Sequence, residues 1–142
     1  MADLTAHHPP YARWAHVLLR VVVSAAFMQH GAQKLFGVLG GTLVPTASLP
    51  WFAGVLEFVG GAFILIGLYT RPVALLLAGE MAVAYFTQHS PNSFWPIMNQ
   101  GELAVLYCFT FLYFAATGPG AISVDYIRLR RNRSDDSLTR DI

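Results

Sequence analysis

Six ionisable side chains, Arg20, His30, Lys34, Glu57, Glu80 and Glu102, stand inside otherwise apolar stretches of this sequence. In a bilayer each would cost roughly 2.5–3.5 kcal/mol at the centre. Their presence therefore asks for either a partner or a task. His30 and Lys34 are four residues apart, which puts both on one face of a helix and lets both address the same ligand atom. An ammonium in a water-poor site stabilises developing negative charge. An imidazole or a nearby carboxylate passes protons. The structural alternative is a buried ion-pair network that only fixes helix order, although buried pairs are weak stabilisers.

The elements that position these groups follow from composition. The chain has 142 residues, the length of one domain, of which 55% are hydrophobic and 12% charged. Typical globular chains carry roughly a quarter charged residues, so a soluble surface could not be covered. Disorder is excluded as well, because it needs low hydrophobicity and high charge. An integral membrane protein remains. Cys108 is the only cysteine, so there is no internal disulfide and no Cys-x-x-Cys relay.

Four stretches approach the roughly 20 apolar residues of a span: Trp14 to Gly37, Trp51 to Tyr69, Pro72 to Gln88, and Gly101 to Thr117. The first is read as a retained helix rather than a cleaved signal, because it is long and carries Arg20, His30 and Lys34. Thr70-Arg71-Pro72 reads as a tight turn that makes spans two and three antiparallel neighbours. His89 to Gln100 reads as a loop, and the tail from Arg128 as polar and without structure after one or two amphipathic turns. Arg13, Arg71, Arg128, Arg130, Arg131 and Arg133 share one side, while the loops 38–50 and 89–100 contain no Lys or Arg. Positive residues mark the cytoplasmic side. The expectation is thus an all-α, integral membrane four-helix bundle with both termini cytoplasmic. Residues 1–13 form an N-terminal segment, 14–120 the membrane domain and 121–142 a polar cytoplasmic tail.

Helical projection gives each span one polar or small-residue face. Arg13, His16, Arg20, Ser24, His30 and Lys34 share a face of span one; Gly54, Glu57, Gly60, Gly61 and Gly67 share one of span two. Glu80 lies with Val73, Ala84 and Thr87, and Glu102 with Asn99, Phe109 and Tyr113. At about 1.5 Å per residue, Lys34 and Glu102 lie about 5 Å below the outer edge, and His30, Glu57 and Glu80 about 10–12 Å below it. His30, Lys34, Glu57 and Glu102 are expected to face one cavity with Glu80 nearby, and Lys34 to pair with Glu57 or, second, with Glu102. The glycines of span two are read as packing residues. Arg71 is expected to bind the last carbonyls of span two or lipid phosphate.

The motifs resemble those of the DoxX family of small bacterial membrane proteins. His30-Gly31-Ala32-Gln33-Lys34-Leu35-Phe36-Gly37 is similar to its His-Gly-x-x-Lys-Leu-x-Gly element. The segment 54–61, the Gly67-Leu68-Tyr69-Thr70-Arg71 turn and Asn99-Gln100-Gly101-Glu102 are similar to further family elements. The resemblance implies four transmembrane helices, residence in the bacterial inner membrane, and an association with oxidoreductase subunits, quinone or catechol metabolism and oxidative stress. It directs the chemistry of His30, Lys34, Glu57, Glu80 and Glu102 toward a quinone, with Phe27, Phe58, Phe109 and Tyr113 lining the ring or serving as ordinary core. No haem, iron–sulfur or flavin motif is present, so electrons would come from a redox partner subunit or a diffusible donor. A metal held by His30, Glu57, Glu80 and Glu102 is disfavoured, because Glu-x-x-His is absent and Lys34 would repel a cation. Membrane lipid is an expected partner and nucleic acid is not. The competing reading is a non-catalytic scaffold or assembly subunit of a membrane complex.

Overall fold

The structure, a computed structural model, describes the backbone of residues 10–138 and the side chains of residues 11–131. Residues 1–9 of the expected N-terminal segment, residues 139–142 of the tail and the side chain of Arg133 lie outside the described residues. Among the described residues all regular structure is helical. Helix α1 spans Pro10–Phe36, α2 Leu49–Ile66, and α3 Thr70–Ala84 with a π turn, Tyr85–His89, continuing it. A short α4 spans Pro96–Asn99, α5 Glu102–Thr117 and α6 Val124–Leu138.

Local chemistry explains the boundaries. Gly37 ends α1 with φ +64°, a conformation that costs a glycine nothing. The Ser48 hydroxyl caps α2 by accepting from the Trp51 N–H, and Pro50 occupies the first turn. Gly67 ends α2 in the left-handed region, and the N–H of Leu68 returns to the Phe63 carbonyl. The turn between α2 and α3 is thus Gly67 to Tyr69. Thr70-Arg71-Pro72, expected as that turn, is the first turn of α3, because Gly67 and Tyr69 supply the positive φ that reverses the chain. The 89–100 loop contains α4. The tail, expected to be mostly unstructured, is helical through Leu138.

Among the described residues one helix, Leu49–Ile66, is long and apolar enough by itself to cross a membrane; Glu102–Thr117 is apolar but shorter. α1 is long enough, and its charges reduce its apolarity. α1 packs along α2, and α3 along α5. The two pairs share a core to which α1 gives Phe27, α2 Ile64, α3 Ala74, Leu77 and Met81, and α5 Tyr107, Phe111 and Phe114.

Glycine makes the α1–α2 seam possible. A Cβ on Gly31 would stand 2.6 Å from the Phe58 nitrogen and 2.7 Å from the Gly54 carbonyl oxygen. Both obstacles are backbone and cannot rotate away. Gly31→Val is therefore expected to cost about 2 kcal/mol or more through overpacking. A thermal unfolding midpoint within a degree of the parent in detergent would show that the seam can open without loss.

The end of the molecule that holds Arg71 is tied by three polar clamps. The Arg71 guanidinium donates to the carbonyls of Ala115 and Ala116, at 3.1 and 2.7 Å, and so caps α5 rather than α2. The reason is the antiparallel α3–α5 packing, which brings the first turn of α3 against the last carbonyls of α5. Arg20, 2% exposed, donates to the Pro119 carbonyl and, at 2.5 Å, to that of Ile122. The Asp125 carboxylate accepts from the N–H groups of Tyr69 and Thr70, both at 2.9 Å, and so caps α3 from the start of α6.

Candidate functional site

Near the far end of α1, Lys34 reaches across the seam and donates to Glu57 Oε1 at 2.5 Å. Gly54, one turn before Glu57, leaves room for the stem: a Cβ there would lie 3.0 Å from the Lys34 Cβ. This is the first of the two partners expected for Lys34, reached because the two side chains share the inward faces of α1 and α2. Lys34 keeps a third of its side chain exposed, whereas Glu57 is 3% exposed. Glu57 lies in a π segment, Leu56–Gly60, inside the otherwise α-helical α2. Such segments concentrate at functional sites, since the extra residue re-aims side chains.

Glu80 of α3 lies within electrostatic range of both Glu57 and Lys34. Both its carboxylate oxygens are buried without a hydrogen-bond partner, and so is Glu57 Oε2. A buried acceptor left unpaired costs roughly 1–3 kcal/mol, more when charged, so three together mark a place that is not finished by the protein alone.

On α5 the contributor is Tyr107. Its phenol is within electrostatic range of Glu57, and its ring meets the His30 ring edge-on at 5.9 Å. Phe27 and Phe111 pack on the same ring at 4.9 and 6.0 Å. His30, Lys34, Glu57, Glu80 and Tyr107 thus converge from four helices. Tyr107 escapes a search for charge because it sits in an apolar run. The readable signal is the stripe Ala104, Tyr107, Phe111 and Phe114, spaced three, four and three, whose one polar tip is the Tyr107 hydroxyl.

Four other sequence-predicted residues fall elsewhere. Glu102 is exposed in the first turn of α5, where a carboxylate suits the helix dipole, and it does not join the cluster. Phe109 is 67% exposed, and Tyr113, 44% exposed, shares its hydroxyl with His16 Nδ1 at 3.1 Å near the Arg71 end. The cause is the orientation of α5: its inward face is the Ala104–Phe114 stripe, which carries Glu102, Phe109 and Tyr113 around the outside. Phe58 lies at the seam, edge-on to Phe36 at 5.5 Å. Phe27, by contrast, is fully buried beside Tyr107.

A cavity of about 370 Å³ does open at this end of the molecule, but Gln88, His89, Asn92, Met98, Asn99 and Gln100 line it, not the charged cluster. Asn99 is buried there; its amide donates to the Ser93 carbonyl and its oxygen accepts from the Gly101 N–H. His89 Nδ1 meets the Asn99 carbonyl at 3.0 Å, and its ring stacks on Tyr85. These bonds hold the α3–α5 connection in shape.

Comparison with known proteins agrees with the motifs. The DoxX family model matches residues 15–90. A Haemophilus influenzae protein of uncharacterized function is 40% identical over 81% of this chain and 91% of its own length. The "Putative oxidoreductase CatD" of Bacillus subtilis is 28% identical over 77% of this chain and 83% of its own. The "Inner membrane protein YqjF" of Escherichia coli is 33% identical over 77% and 88%. No solved structure matches the chain significantly.

Proposed function

Because the chain belongs to the DoxX family of membrane proteins, we propose that it is a multi-pass four-helix bundle of the bacterial inner membrane, with both termini cytoplasmic, that serves as a quinone-linked oxidoreductase subunit. The observation that carries this reading is the pairing of a half-buried Lys34 with the buried Glu57 carboxylate, with the unpartnered Glu80 carboxylate in electrostatic range. The oxidoreductase name of the Bacillus subtilis relative supports it.

The chemistry of the residues present suits a ligand with oxygen at its edge: Glu57 Oε2 and both Glu80 oxygens have no partner within the protein, and the His30 and Phe27 rings pack on Tyr107. A quinone when bound supplies the two-electron chemistry, and a partner protein or diffusible donor supplies the electrons. The protein's own groups hold and orient. Lys34 fixes Glu57 Oε1, so that Oε2 keeps one direction. The Glu80 carboxylate can take up or release a proton without breaking any hydrogen bond made within the protein. Tyr107 closes the side toward the aromatic core. Exposed apolar side chains along the helices, among them Leu75, Leu76, Val83, Leu106 and Phe109, suit lipid contact.

Two measurements test this function. Mild detergent extraction followed by mass spectrometry is expected to find retained quinone in the parent, and much less in the Lys34→Met/Glu57→Gln double variant. Equal retention in both would detach quinone from this cluster, and none in either would favour the scaffold reading. For topology, in a Cys108→Ala background, a membrane-impermeant maleimide is expected to label Ser48→Cys in intact cells and to leave Ser134→Cys unlabelled. The reverse pattern would invert the orientation.

A further inference from the structure

We infer that the cleft between the first turns of α1 and the α5–α6 connection is a binding site for one anionic phospholipid, whose phosphate pairs with Arg13. This goes beyond the quinone-linked reading and beyond general contact of the helices with lipid, and it does not depend on the Glu57–Glu80 site. The cleft holds about 290 Å³, near the lower bound for small-molecule sites, and is lined by Arg13, Trp14, Val17, Ala121 and Ile122. Its two walls are tied together. Arg20 of α1 donates to the Pro119 and Ile122 carbonyls, and His16 Nε2 donates to the Gly118 carbonyl at 3.1 Å.

The lining selects the chemistry of the occupant. Its polar side chains, Arg13 and Trp14, are donors only, a guanidinium and an indole N–H. Val17, Ala121 and Ile122 are apolar. The nearby carbonyls of Pro119 and Ile122 already accept from Arg20, and that of Gly120 accepts from the Ser123 hydroxyl. Arg13 has no hydrogen-bond, ion-pair or ring partner among the described residues. Donors without acceptors, set against apolar side chains, ask for an anionic oxygen group joined to an apolar tail. A phosphodiester on acyl chains has both, and a guanidinium can hold phosphate by two parallel bonds. Trp14 and Ile122 are 64% and 54% exposed, so the cleft opens at the surface, and an indole suits the headgroup level of a bilayer. A zwitterionic headgroup fits less well. No carboxylate lines the cleft, and Asp125, the one carboxylate among the described side chains at this end, is taken by the N–H groups of Tyr69 and Thr70. A headgroup ammonium would therefore find no counter-charge and would meet Arg13 instead. Arg71, Arg128, Arg130 and Arg131 at the same end add to the positive potential. The occupant that matches is a phosphate carrying an uncharged polyol.

Three probes on the full chain in neutral detergent test it: phosphatidylglycerol, phosphatidylethanolamine with the same acyl chains, and inorganic phosphate. Salt at about 0.15 M screens diffuse attraction beyond about 8 Å. Native mass spectrometry counts the bound lipid, and titration of the unfolding midpoint gives the affinity. One phosphatidylglycerol is expected to bind about tenfold more tightly than phosphatidylethanolamine, the size of one hydrogen bond to a charged group. Inorganic phosphate is expected not to displace it. In Arg13→Gln the preference is expected to fall below about threefold. In Arg131→Gln, which removes a charge at the same end outside the cleft, it is expected to persist. Both arginines are exposed, so neither substitution threatens the fold. Equal loss in the two variants would overturn the inference by showing that net charge alone attracts the lipid. Equal affinity for the two lipids would overturn it by showing that the headgroup is not selected. Displacement by inorganic phosphate would overturn it as well and assign the cleft to a soluble anion. Each of these outcomes leaves the quinone-linked reading where it stands.

Discussion

Lys34→Met is expected to destabilise the protein by roughly 3–5 kcal/mol, the range for removing one partner of a buried ion pair. Glu57 would be left with both oxygens unpaired, with the Glu80 carboxyl in electrostatic range. Partial exposure of Lys34 places the effect toward the lower end of that range. Glu57→Gln in the same chain removes the stranded charge and is expected to restore more than half of the loss. A double-mutant cycle on unfolding in detergent measures the coupling. Strict additivity of the two substitutions would mean that the pair contributes no coupling and that the cluster does not act as a unit. Lys34→Met with Glu102→Gln is expected to be additive, because Glu102 lies exposed on the far side of α5.

At the opposite end, Arg20→Met is expected to cost about 3 kcal/mol, from two charge-assisted hydrogen bonds at roughly 1.5–3 kcal/mol each, less the desolvation relieved by removing the charge. Its guanidinium, in a residue that is 2% exposed, holds the carbonyls of Pro119 and Ile122. The segment between α5 and α6 would loosen, and the Asp125 cap on α3 with it. Increased hydrogen exchange at Tyr69, Thr70 and Ala121 to Asp125 checks this. Protection as high as in the parent would show that Asp125 anchors the segment alone.

The four long apolar helices and the Lys34–Glu57 pair could be read from the sequence because they rest on local rules. Apolar runs broken by Gly and Pro place the helices. The inward faces of α1 and α2 bring Lys34 to Glu57, and the lysine stem spans the difference in depth, since counting from the ends puts Lys34 level with Glu102 instead. The role of Arg20 could not be read so. Its position among apolar residues suggests a side chain that reaches toward headgroups, whereas its partners are carbonyls about a hundred residues away in sequence. The same holds for Arg71, whose target helix depends on which helices are neighbours. On α5 the polar projection pointed the wrong way. Glu102 lies at a helix end, where water is near and a charge need not face inward, so the aromatic stripe decides the orientation instead.

The π segment at Leu56–Gly60 bears on how this chain should be compared with its kin. A turn of that kind holds one more residue than an α turn over nearly the same length, so it behaves as an insertion absorbed by a helix that does not break. Removing one residue between Leu56 and Gly60 would let α2 run as an uninterrupted α-helix. Because the extra residue is taken up inside the π turn, the parts of α2 before and after it would keep nearly their present faces. Gly54 and Gly61 would still meet α1, and only the side chains within the turn would be re-aimed. A relative that lacks this residue must therefore be aligned with a one-residue gap between Leu56 and Gly60, and aligning it without that gap would mismatch every residue on one side of the turn.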